Sequence, residues 1–100
     1  MHILYRNTLI NCWQARPDVK EALKAWYYDV SQAKWQRPSD VRIDHPTVMV
    51  INNNGLIFKL QGGRYRLSTT VYYEVGMVLV RFIGTSFSDE GVARDKLIED

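Results

Sequence analysis

Between Asp18 and Lys34 the apolar residues Val19, Ala22, Leu23, Trp26, Val30 and Ala33 recur at spacings of three and four, which lines one stripe of an amphipathic helix. Pro17 suits the first turn of that helix, and Asp18 and Glu21 suit the positive end of its dipole. Upstream, Thr8, Leu9, Cys12 and Trp13 mark a shorter helix that ends near Arg16, because a residue preceding proline disfavours helical geometry. Pro38-Ser39-Asp40-Val41 and His45-Pro46 then read as a connector. Beyond it the texture changes. Val48–Ile51, Leu56–Gln61, Arg64–Glu74 and Met77–Gly84 are runs rich in β-branched and aromatic residues, separated by Asn53-Asn54-Gly55, Gly62-Gly63 and Val75-Gly76. Asn54-Gly55 and Gly62-Gly63 predict tight hairpins, whose turns need positive φ. The expectation is an α+β domain in which two N-terminal helices pack on one face of a four-stranded antiparallel meander.

Alternation within the third run divides it into Arg64, Arg66, Ser68, Thr70 and Tyr72 on one side and Tyr65, Leu67, Thr69, Val71 and Tyr73 on the other. A Gly62-Gly63 turn sets Lys59 opposite Arg66, so one face collects cations that repel each other unless an anion sits between them. Arg81 joins that face only in one of two registers, since a slip of one residue reverses a strand's faces. Guanidinium groups on a rigid sheet suit phosphate oxygens, and Tyr65 and Tyr72 offer rings for base stacking. The plain alternative is a half-buried sheet whose long basic side chains cover apolar surface. Trp13, Trp26 and Trp35 read as core or interface aromatics rather than base-stacking platforms.

Composition narrows the class. One hundred residues with 46% apolar content suffice for one core, without a second domain or an internal repeat. The apolar runs are too short to span a bilayer and the opening residues do not form a signal peptide, so the chain reads as soluble and cytoplasmic. Cys12, the single cysteine, excludes an internal disulfide and reads as a small packed residue. His2 and His45 have no partners at ligand spacing, so neither a metal nor a cofactor is expected. The net charge is only +2, yet it is unevenly spread: the last dozen residues carry Asp89, Glu90, Asp95, Glu99 and Asp100.

The stretches "LKAWYYDV", "AKWQRPSDVRIDHP", "NNNGLIFKLQGGRYRL" and "VLVRFIGT" together resemble the HigB toxins of bacterial type II toxin–antitoxin modules, within the RelE/ParE superfamily, over residues 1 to about 86. The resemblance implies the fold expected above, and residues 87–100, which extend past it, are expected to form a divergent, mobile tail. It also implies a ribosome-dependent mRNA endoribonuclease that acts in the ribosomal A site without a metal. The implied partners are a HigA-type helix-turn-helix antitoxin and, through it, operator DNA. On this footing Lys59, Arg64, Arg66, Tyr65 and Tyr72 would bind RNA, and Arg66 and Arg81 would stabilise the charge of the transition state.

The chain also departs from the family pattern. Gly63 stands where an asparagine is usual, Lys59 replaces another asparagine, Ser86 replaces a histidine and Asp89 a tyrosine. A carboxylate at Asp89 or Glu90 is then the remaining candidate for the general base. The same departures support an alternative, a catalytically degenerate protein that keeps only antitoxin, ribosome or RNA binding. A further expectation is that Val92, Leu97 and Ile98 let the acidic tail fold back over the basic face.

Overall fold

The computed structural model describes residues 1–85. Strand β1 (His2–Leu4) leads into helix α1 (Asn7–Ala15), and a 3-10 turn at Pro17–Val19 into helix α2 (Lys20–Gln32). Helix α3 (Pro38–Asp44) follows, then strands β2 (Met49–Val50), β3 (Gly55–Leu60), β4 (Tyr65–Tyr72) and β5 (Met77–Thr85). The five strands form one sheet in the order β1-β5-β4-β3-β2.

The α+β class and the β2 to β5 meander agree with the expectation, but two elements do not. The sheet has a fifth strand and is mixed, because β1 runs parallel to β5 with Ile3 opposite Val78. Three residues are too few to show an alternation, so only the long-range pairing reveals that strand. The connector is also partly helical. Pro38 occupies the first turn of α3, where its missing N–H costs nothing, and Asp40 lies in the same turn and accepts a hydrogen bond from the Gln36 backbone amide at 2.9 Å.

The turns separate the two hairpin signals. At Gln61-Gly62-Gly63-Arg64, φ is +69° at Gly62 and +94° at Gly63, and the Arg64 amide closes onto the Gln61 carbonyl. Both central residues thus have the positive φ that glycine tolerates best. At the β2–β3 turn Asn52 does the work instead: its Oδ1 accepts from the amides of Asn54 and Gly55 at 3.0 and 2.7 Å. Gly55 has an ordinary φ there. A Cβ on it would come within 3.1 Å of that oxygen, so its smallness is what the turn requires.

The core lies between the helices and one face of the sheet. Leu9, Val19, Leu23, Val30 and Val41 meet Leu56, Leu67, Val71 and Val78, all of them fully buried. Phe58 sits at the centre of an aromatic cluster, edge-on to Trp26 at 5.4 Å and to His45 at 5.1 Å, and stacked on Trp35 at 6.0 Å. Trp26 and Trp35 are therefore core residues, as expected, and Trp13 packs, partly buried, against the edge of the core. The Trp35 indole donates to Asp44 Oδ2 at 2.9 Å, which satisfies its polar edge and fastens α3 to the core.

Candidate nucleic-acid interface

The sheet face turned away from the helices carries the cations. Lys59 lies directly opposite Arg66 across β3 and β4, the register set by the Gly62-Gly63 turn. Directly opposed side chains in an antiparallel pair have Cβ atoms about 5 Å apart, and like charges there cost up to about 1 kcal/mol. Lys59 is exposed and Arg66 half-buried.

Arg81 reaches the same face by way of a bulge. The β4–β5 register shifts between Ser68 and Thr69, which face Phe82 and Val80, so Arg81 is the extra residue on β5. Its Nε donates to Thr70 Oγ1 at 2.7 Å. Thr70 and Arg66 share a face by alternation, so the contact fixes which side the guanidinium takes. Bulges commonly re-aim a side chain in this way.

Tyr72 also lies on this face, at the far end of β4, and is 44% exposed. It is separated from Arg66 by six residues of strand, or about 20 Å.

Two expected members are elsewhere. Tyr65 is only 2% exposed, on the helix side, and its phenol donates to Asp18 Oδ2 at 2.9 Å. Its ring cannot stack on a base, and the reading of Tyr65 as an RNA-binding residue is corrected to a structural one. Arg64 precedes β4 in a helical conformation rather than lying within the strand. Its guanidinium is 3.8 Å from Asp18 and 5.9 Å from the centre of the Tyr65 ring, so it sits at the rim and not in line with Arg66. Asp89 and Glu90, like Ser86 and the rest of the acidic tail, lie outside the described residues.

The face is also less uniformly polar than the alternation in β4 implies. β3 and β5 contribute Ile57 opposite Ser68, Phe82 opposite Ser68 and Leu79 opposite Thr70. Ile57 is 6% exposed yet does not belong to the helix-side core. The continuous apolar run from Leu56 to Phe58 carried this signal, since a strand buried on both faces shows no alternation. Asp18 was missed as an organiser: read as a helix-dipole residue, it also receives Tyr65 and Arg64 from the start of β4.

Among the described residues no group of histidine, cysteine, aspartate or glutamate side chains could hold a metal ion, and no helix is long and apolar enough to cross a membrane. Burial raises the Cys12 thiol above its ordinary range, which disfavours the thiolate a nucleophile needs.

The arrangement therefore offers three cations, Lys59, Arg66 and Arg81, on one sheet face, the last of them held by Thr70, with an exposed ring beyond them. The model of the HigB toxins, described as RelE-like toxic components of toxin–antitoxin systems, matches residues 19–87. The chain belongs to the HigB toxin family. No curated protein matches it. The HigB match covers α2, α3 and β2 to β5, and so includes Lys59, Arg66, Arg81 and Tyr72, while β1 and α1 precede it and Asp89 and Glu90 follow it. Membership in a toxin–antitoxin family implies an antitoxin partner.

Proposed function

We propose that this HigB protein is a ribosome-dependent mRNA endoribonuclease that inhibits translation from the cytoplasm and is neutralised by a HigA-type helix-turn-helix antitoxin, through which it contacts operator DNA. The observation that carries this reading is the like-charge pair Lys59 and Arg66, joined on the sheet face turned away from the helices by an Arg81 that Thr70 holds in place. Cations fixed in advance at a phosphate lose little by reorganising when charge develops there.

The reaction needs no metal. The 2′-hydroxyl gives its proton to a base, its oxygen bonds to the adjacent phosphorus, and the bond to the 5′-oxygen breaks as that oxygen gains a proton. The products are a 2′,3′-cyclic phosphate and a free 5′-hydroxyl. Arg66 and Arg81 stabilise the charge on the phosphorane, Lys59 holds the flanking backbone, and the carboxylate of Asp89 or Glu90 is the proposed proton acceptor. Positioning of the message by the ribosome supplies part of the acceleration.

The test is primer extension on a defined message in a reconstituted translation reaction, with wild type beside Arg66→Ala. Cuts in A-site codons that disappear in the variant support the nuclease. The substitutions at Ser86 and Asp89 favour a second reading, a docking protein that keeps the basic face but not the chemistry; an intact message with retained ribosome or antitoxin binding selects it.

A further inference from the structure

At the Tyr72 end of the open face a cleft of about 580 Å³ opens between three loops. Its walls come from the α2–α3 connector with Gln36 and Arg37, the β2–β3 turn with Asn53, and the β4–β5 turn with Tyr72, Tyr73 and Glu74. One wall is firmly built. The Asn54 side-chain amide donates to the Val71 carbonyl at 2.8 Å, and the Val71 amide returns a bond to the Asn54 carbonyl, also at 2.8 Å. The Asn52 side chain braces the same turn from within.

The chemistry of the lining is mixed in a specific way. Arg37 and Glu74 carry opposite charges and face the same cleft, yet the ion pair found among the described residues joins Arg64 to Asp18 instead. The cleft thus holds a cation and an anion apart. Beside them Tyr72 presents an exposed ring, and the Tyr73 hydroxyl is shielded from water without a hydrogen-bond partner among the described residues. A ligand for such a site needs an anionic group, a flat ring and a hydrogen-bond donor edge. Among single-stranded RNA nucleotides, guanine fits best, because its N1–H and 2-amino group are adjacent donors that one carboxylate can accept. Adenine and cytosine place a ring acceptor beside their amino group, and uracil flanks its one donor with carbonyls.

We infer that this cleft is a guanine-selective subsite for the RNA that crosses the sheet, with the base stacked on Tyr72, its Watson–Crick edge on Glu74 and its phosphate on Arg37. The inference rests on the RNA-binding reading above. The strand geometry supports the connection: Arg66, Thr70 with Arg81, and Tyr72 follow one another along the same face of β4 over about 20 Å, so one strand of RNA can touch both ends. Stacking supplies affinity without base preference. The carboxylate supplies preference, since a base with an acceptor in the wrong place leaves it unpaired or repelled.

The experiment is a nuclear magnetic resonance titration of the ¹⁵N-labelled full chain with guanosine 5′-monophosphate, and in parallel with the adenosine, cytidine and uridine monophosphates. Guanosine monophosphate is expected to shift the amides of Asn53, Tyr72 and Glu74 and to bind about tenfold more tightly than the other three, the size expected for one well-made polar contact. Tyr72→Ala should weaken all four nucleotides by about tenfold, the loss of one stacked base. Glu74→Gln should remove the preference for guanine, and in the translation assay should redistribute cutting away from guanine-containing sites. Equal affinity for the four nucleotides, or shifts confined to the Arg66 end, overturns the subsite. The two readings separate cleanly: nucleotide-selective binding in the cleft by a protein that leaves message intact removes the nuclease, and cutting without such binding removes the subsite.

Discussion

The two faces of the central strands use the same backbone for opposite ends. On the helix side Leu56, Phe58, Leu67, Val71 and Val78 are chosen for fit, and these buried strand residues are all apolar. On the open side, one residue out of phase, Lys59 faces Arg66 and Arg81 is turned out by a bulge. The first face gains free energy from every contact. The second sets two like charges opposite each other, a pairing that is unfavourable taken by itself. Opposed cations are where the counter-charge of a ligand would act, and the contrast between the faces marks this candidate interface more clearly than net charge does.

Substitutions on the two faces should therefore have opposite signatures. The largest effect is expected on the covered side: Phe58→Ala empties the centre of the Trp26, Trp35 and His45 cluster and should cost about 3–5 kcal/mol of stability, read as a lowered denaturant midpoint. Next, on the proposed nuclease reading, Arg66→Ala should lower message cleavage by about 10²–10³-fold, the usual loss for one donor to a developing oxyanion, with a far smaller loss of stability than Phe58→Ala. A comparable loss of stability would place Arg66 with the structural residues and break the contrast. Tyr65→Phe removes the hydroxyl that reaches Asp18 and should cost about 1 kcal/mol, with RNA binding retained; weaker RNA binding at unchanged stability would return that ring to the interface.

Acidification gives a further test of the covered side. Burial lowers the pKa of His45, with Asp29 and Asp44 partly opposing the shift. The folded protein therefore binds fewer protons at this site than the unfolded chain, whose imidazole titrates near 6.5, and stability should fall as the pH drops below about 6.5. His45→Gln should flatten that slope in chemical denaturation at successive pH values. The smallest effect distinguishes the faces most sharply. Lys59→Gln relieves the repulsion with Arg66 and should raise stability by a few tenths of a kcal/mol, while weakening RNA binding and reducing its salt dependence.

Much of this was legible because it is local. The period of three and four in α2 and the Gly62-Gly63 turn are properties of neighbouring residues, and the turn alone fixed Lys59 against Arg66. Other features needed partners distant in sequence. β1 exists because β5 offers it an edge, and Pro38 starts a helix instead of ending order because Val41 and Asp44 find the core. Tyr65 and Arg64 alternate correctly on paper, but Asp18, 47 residues before Tyr65, draws both toward the helices.

The sequence by itself determined the first two helices, the β2 to β5 meander with its turns, and that Lys59 meets Arg66 on one face, since backbone geometry and short-range periodicity decide those matters. Tertiary structure decided the handling of the rest: which side Arg81 takes, which tyrosine is buried and which exposed, and that Arg37, Asn53 and Glu74 surround one cleft. The physical reason is that a bulge, a buried phenol and a cleft between three loops are each set by contacts among segments far apart in the chain, and no period in the sequence encodes them.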